Sequence, residues 1–140
     1  MAKLNTAARK LIESGALAHL ATINEDGTPQ VSIIWVGLDG DELVAAHLDS
    51  RQRKLANIRR DPRVTLSFES DVSDPYGMRE YLVVRGTVEV TEGGGPALLG
   101  RLAKTYIGPD AVFPPMPNPP EGFISHITVT SVSGNGPWTD

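Results

Sequence analysis

Apolar residues first recur at helical spacing at Ala8, Leu11 and Ile12, behind Asn5, whose side chain suits an N-cap, and ahead of Gly15, which suits a helix end. A short amphipathic helix is expected there. An apolar run over 16–23 stops at Asn24-Glu25-Asp26-Gly27, and a second over 29–38, carrying Val31, Ile33, Ile34, Trp35 and Val36, stops at Asp39-Gly40. Both Asp-Gly steps favour hairpin turns. A third run, 42–48, follows directly. Parallel strands would need a crossover of roughly a dozen residues, so three runs joined by two tight turns predict an antiparallel meander.

Ser50 stands where it can cap a second helix over 51–60, which Asp61-Pro62 ends because proline disfavours helical geometry in the residue before it. Next, Val64, Leu66 and Phe68 alternate with Thr65, Ser67 and Glu69, and Leu82, Val84, Gly86, Val88 and Val90 alternate with Val83, Arg85, Thr87 and Glu89. Both stretches read as strands with one buried face. Gly93-Gly94-Gly95-Pro96 opens a third helix over 97–106. A stiff connection with six prolines between 109 and 120 follows and is expected to lie over a surface. A last strand over 123–132 places Phe123, Ile127 and Val129 on one face, and residues 133–140 form a tail. Six strands and three short helices predict a mainly β fold: one domain over 1–140, a six-stranded antiparallel barrel whose closure removes exposed edges.

Composition narrows the chemistry. The 140 residues suit a single core, and no apolar run approaches the roughly 20 residues that span a bilayer. The first residues lack the apolar stretch of a secretory signal, so the expected location is the cytoplasm and no membrane contact is expected. With no cysteine, disulfides, iron–sulfur clusters, thiolate zinc sites and cysteine nucleophiles are excluded. Net charge is −4, yet residues 51–63 carry +5 and the rest of the chain −9. A cationic spot on an acidic molecule suits a compact anion such as a phosphate better than a nucleic acid, which the remaining surface would repel.

The segment Ser50-Arg51-Gln52-Arg53-Lys54-Leu55-Ala56-Asn57 combines open N–H groups at a helix start, the positive end of the helix dipole and three basic side chains, the ingredients of a phosphate site. A merely solvated face would intersperse acids at spacings of three or four, and none occurs before Asp61. Gly95 and Gly100 have the spacing of a phosphate-binding loop, but Arg101-Leu102 stands where lysine and a hydroxyl are needed. No G-x-G-x-x-G sequence supports a dinucleotide fold. His19, His47 and His126 lie on separate strands without metal-ligand spacing, so no metal site is expected. Of these, His47 ends the strand that runs into the basic helix. Ser14, Ser32 and Ser125 have no nucleophile-elbow context. Trp35 reads either as core or as the flank of a flat aromatic ligand, and Trp138 as an anchor of the tail against its own barrel or a partner subunit.

Taken in order, Leu20-Ala21-Thr22, Asp26-Gly27-Thr28-Pro29-Gln30-Val31-Ser32, Arg53-Lys54-x-x-Asn57-Ile58-x-x-Asp61-Pro62-Arg63-Val64 and Gly86-Thr87-Val88 resemble the split β-barrel flavin-binding family related to pyridoxamine 5'-phosphate oxidase. The ending Gly136-Pro137-Trp138 is similar to the small actinobacterial members that use the deazaflavin coenzyme F420 in place of FMN. This resemblance implies an FMN-binding-like split barrel and a homodimer with two cofactor sites at the subunit interface. It places the cofactor phosphate at Ser50, Arg51, Arg53, Lys54 and Asn57, and the ring along Gln30, Val31, Ser32, Ile33, Ile34 and Trp35, with His47 and Trp138 as further contacts. The implied activity is F420H2-dependent reduction of a small conjugated substrate, with no catalytic acid–base residue. The alternatives are an FMN-dependent oxidoreductase of the same fold and a non-catalytic protein holding a flavin, F420 or a tetrapyrrole. Positive charge beyond one phosphate favours F420, whose anionic tail could meet Arg59, Arg60, Lys3, Arg9 or Lys10.

Overall fold

The structure, a computed structural model, describes residues 3–139. Asp140, at the end of the expected tail, lies outside them. Helix α1 (Thr6–Glu13) begins where expected: Asn5 Oδ1 accepts the Ala8 N–H at 2.9 Å, and Ala8 and Ile12 are buried. Strands β1 (Ala18–Ile23) and β2 (Pro29–Ile34) form a hairpin, as do β3 (Gly37–Asp39) and β4 (Glu42–His47). Helix α2 (Arg53–Arg60) leads into the long hairpin β5 (Arg63–Ser73) and β6 (Arg79–Glu92); α3 (Gly95–Tyr106) and β7 (Phe123–Asn135) complete the chain.

The seven strands form one antiparallel sheet in the order β2-β1-β5-β6-β7-β4-β3. This corrects the six-stranded closed barrel and the three-strand meander. The run over 29–38 is two strands, not one, and they lie at opposite edges of the sheet. The break has a local cause. Trp35 leaves the ladder to stack on Tyr106, with ring centroids 5.4 Å apart and planes 9° from parallel. The Tyr106 hydroxyl accepts the Val36 N–H at 3.0 Å and turns its one proton toward the Ala16 and Val36 carbonyls, each 3.1 Å away, so a side chain from α3 occupies the backbone of Val36. The sheet therefore curls until one continuous run of chain joins its two edges, without hydrogen bonds between β2 and β3.

Inward residues of every second position fill the interior: Leu20, Leu43, Leu66, Phe68, Leu82, Val84, Ile127 and Val129 are all buried. Alternation along β5 and β6 was readable for this reason. Gly86 is required where β7 bulges against β6, since a Cβ there would run into the Thr128 carbonyl oxygen. The curled sheet has two ends. α1 and Trp138 close one; α2 closes the other through Leu55 and Ile58. α3 packs outside, Leu98 and Leu102 against Val44.

Candidate functional site

Construction of the basic end begins with Asp49. Its carboxylate accepts the Arg51 N–H at 2.8 Å and pairs with the Arg51 guanidinium at 3.1 Å, an Asx-type turn that delays the helix by two residues. Ser50 is consequently exposed and is not the cap; Gln52 is. The Gln52 carbonyl accepts from Leu55 at 3.1 Å and Ala56 at 3.3 Å, but its side chain makes no capping bond. The N–H groups of Arg53 and Lys54, which no intrahelical carbonyl can reach, stay open at the positive end of the helix.

The cations sort into spent and free. Arg51 is tied to Asp49 and Arg63 to Asp61, holding both carboxyls below the usual range, Asp61 at about 2. Arg60 donates to the Ile23 carbonyl and to Asn57 Oδ1, and Arg59 lies 4.8 Å over the Phe123 ring. At the other end, Arg9 donates to the Gly40 carbonyl and faces Asp41. Among the basic side chains of the described residues 51–63, Arg53 and Lys54 alone make no ion pair, hydrogen bond or ring contact, although Arg53, after the Thr28 hydrogen bonds, helps hold the Asp26 carboxyl below its usual range. Lys54 is half-buried, and burial pushes its ammonium pKa down. A bound anion would restore the stabilisation that lost water withdrew. Two free charges match one phosphoryl group, so the surplus counted along the sequence shrinks sharply once pairings are known.

Asn57 is a brace. Buried, it donates to Thr22 Oγ1 and to Asn24 Oδ1, each at 3.0 Å, and Thr22 donates on to Gln30 Oε1 at 2.9 Å. These bonds fasten α2 to the β1–β2 hairpin and so bring Gln30, Val31, Ser32 and Ile33 to the side of the basic helix. β2 is an edge strand, so its outer backbone N–H and C=O groups face no neighbour. Val31 and Ile33 project outward, 62% and 59% exposed, while the Ile34 side chain is buried in the core. On the same outer face lies a groove of about 510 Å³, flanked by Arg63 and Arg85. A larger hollow of about 680 Å³ runs along the start of α1, where Asn5 caps the helix and Arg9 is tied as above.

His47 is 2% exposed at the end of β4. Its Nε2 lies 2.6 Å from Ser125 Oγ on β7. Burial first, then the nearby Lys54 and Arg59, hold its pKa down to about 4, with the adjacent Gln52 side chain opposing, so the ring is neutral at pH 7. Among the described residues, three buried side-chain atoms lack a hydrogen-bond partner: Ser32 Oγ, His47 Nδ1 and Gln52 Oε1. All three belong to β2 or to the approach into α2. The Gln52 side chain acts on the His47 ring, so those two are neighbours of each other, and Ser32 Oγ on β2 is left, with the open Arg53 and Lys54 amides, as what a polar, anionic ligand would meet. The residues present fit a phosphorylated, hydrogen-bonding ring cofactor on that ground.

Two expected contacts lie elsewhere. Trp35 belongs to an aromatic cluster with Tyr106 and Phe113, whose ring centroid is 5.2 Å away. Trp138 is 5% exposed, and its indole N–H donates to the Tyr81 carbonyl at 2.7 Å; it anchors the tail on its own barrel. Tyr81 and Thr87, which pairs with Arg63 just after α2, are six residues apart, roughly 20 Å along β6. Trp138 is thus at the opposite end from the basic helix. Conversely, sequence reasoning missed Gln52, Ser125 and Arg85. Only Arg85 left a signal, an outward charge in the alternation of β6.

Among solved structures, an F420 reductase is 32% identical over 89% of this chain and 94% of its own, with a TM-score of 0.70. A conserved hypothetical protein of Mycobacterium tuberculosis, 20% identical over 96% of this chain and 88% of its own, superposes with a TM-score of 0.69. An FMN-binding protein of Syntrophomonas wolfei is 13% identical over 94% and 86%, TM-score 0.65; at such identities the likeness shows the fold alone. The family model for pyridoxamine 5'-phosphate oxidase matches residues 4–134, and the chain belongs to that family.

Proposed function

We propose that this protein is an F420H2-dependent oxidoreductase that reduces a small conjugated substrate, working as a homodimer. The observation that carries the reading is the pair of free cations, Arg53 and Lys54, on open amides beside the unpaired edge of β2. The F420 reductase at 32% identity over nearly the whole chain supports the choice of coenzyme. When bound, such a coenzyme supplies a hydride donor restricted to two-electron chemistry. The chain's own part is binding and orientation. Arg53, Lys54 and their N–H groups take the phosphoryl group. The free backbone edge over Gln30–Ile33 offers donors and acceptors to a planar heterocycle, and Ser32 Oγ gains a partner. Val31 and Ile33 supply apolar contact and keep water away.

Leu17, Val31, Ile33 and Tyr81 are large, exposed and apolar. A second copy covering this face would bury them and wall in the ring, which supports the dimer. No helix is long and apolar enough to cross a membrane among the described residues.

FMN is the second reading, favoured by the charge count: two free cations balance one phosphate and leave little for an anionic tail. Calorimetric titration separates the two. F420 is expected to bind at micromolar concentration and FMN at least tenfold more weakly; tighter FMN binding would reverse the assignment. Oxidation of F420H2 with a panel of enones and quinones is expected to exceed the enzyme-free rate for at least one compound. Binding without turnover across the panel would favour a carrier protein.

A further inference from the structure

We infer that Gln52 keeps the first turn of α2 open for an anion, and that the His47–Ser125 pair behind it holds the Gln52 side chain off the helix's own amides. The inference rests on the proposed anion site and assigns it three positioning residues, Gln52, His47 and Ser125, that touch no ligand.

The two caps that open α1 and α2 differ in one respect. Asn5 folds its side chain back onto Ala8 N–H and closes α1. Gln52, a methylene longer, makes no such bond, although its backbone is fixed by Asp49 behind and by Leu55 and Ala56 ahead. A self-capped helix would occupy with its own oxygen the N–H groups that an anion needs. What the Gln52 side chain does instead is read from its surroundings. Its Oε1 and Nδ1 of His47 are both buried with no other partner, and the Gln52 side chain acts on the His47 ring, raising its pKa against the effect of burial. Ser125 Oγ sits 2.6 Å from the other ring nitrogen. With that hydroxyl donating to Nε2, the neutral ring carries its proton on Nδ1, a donor whose natural acceptor is Gln52 Oε1. Antiparallel pairing of Ala45 with Ser125 and His47 with Phe123 fixes both partners on rigid strands. The ring therefore attracts the Gln52 carbonyl inward, and the helix start stays uncapped.

Sulfate is the probe, because it stays doubly charged at pH 7 and tests the anion site without the rest of a coenzyme. Chemical-shift titration of the Arg53 and Lys54 amides in the full chain reads its affinity. Gln52→Ser introduces a short hydroxyl that can cap. It is expected to raise Tm by about 3 °C while weakening sulfate at least tenfold. A lost contact or a folding defect would not move stability and affinity in opposite directions. His47→Leu is expected to weaken sulfate severalfold in the parent and to change nothing further in the Gln52→Ser background, because it acts through Gln52. Unchanged sulfate affinity in Gln52→Ser, or additive losses in the double variant, overturns the inference. R53E/K54E keeps the two levels apart. If that variant still binds sulfate, the anion site itself is wrong; if it loses sulfate while Gln52→Ser retains it, only the role of Gln52 and His47 falls.

Discussion

The two ends of the curled sheet are closed by the same device, a short helix laid across an opening, and they differ in how completely their polar groups are met. At the α1 end Asn5 caps its helix, and the Trp138 indole N–H bonds the Tyr81 and Asn135 carbonyls. At the α2 end the Gln52 side chain makes no capping bond, Ser32 carries an unpartnered buried atom, and Arg53 and Lys54 make no ion pair. Both helices are eight residues long and bury two apolar side chains each, Ala8 and Ile12 of α1 and Leu55 and Ile58 of α2, so apolar packing does not separate the ends. On the proposed reading, one end holds the fold together while the other leaves its helix start open for a ligand. Buried groups left unmet cost stability, and a fold keeps them where binding returns the cost.

Three perturbations sharpen that contrast, in falling order of effect. Trp138→Ala removes the plug of the saturated end and should cost about 3–5 kcal/mol, read from urea unfolding. A loss under about 1 kcal/mol would mean that the tail is not part of the core. The second acts on His47. Its native pKa, about 4, lies below the ordinary 6.5, so between those values the unfolded chain binds the proton and the native protein does not. Stability is therefore full above about pH 6.5 and falls as pH drops toward 4, by about 3 kcal/mol at most. The paired carboxylates Asp49 and Asp61 lose their contribution at lower pH, which keeps the windows apart. Unfolding at pH 7 and 4.5 should show this slope in the parent and a flatter one in His47→Leu; equal slopes would move the titration to another group. The smallest effect is Asn5→Ala, about 1 kcal/mol of lost capping seen in Tm, against the gain expected when α2 receives a cap.

How far the sequence revealed this contrast depends on the range of each interaction. α1 was legible because its cap and its apolar spacing lie within one turn of each other. The alternating faces of β5 and β6 were legible because sheet periodicity survives any topology. The split of β2 from β3 was not: it depends on a Tyr106 hydroxyl seventy positions away from Val36. The location of the basic helix was readable and the availability of its charges was misjudged. Asp49-Ser50-Arg51 and Asp61-Pro62-Arg63 share an Asp-x-Arg spacing that turns out to neutralise both arginines, a local signal that a charge total hides. Ser50 failed as a cap for the same reason, since Asp49 competes for the backbone two residues on. The His47–Ser125 contact, 78 positions apart, left no trace in the pattern.

The most direct measurement of the central claim is a calorimetric titration of F420 into the parent and into R53E/K54E, with folding of both verified by Tm. Micromolar binding to the parent, at least hundredfold weaker binding to the charge-reversed variant and Tm values within a few degrees are expected, because neither side chain makes an ion pair or hydrogen bond in the folded protein. Equal affinity for the two proteins would contradict it and place the coenzyme somewhere other than the start of α2.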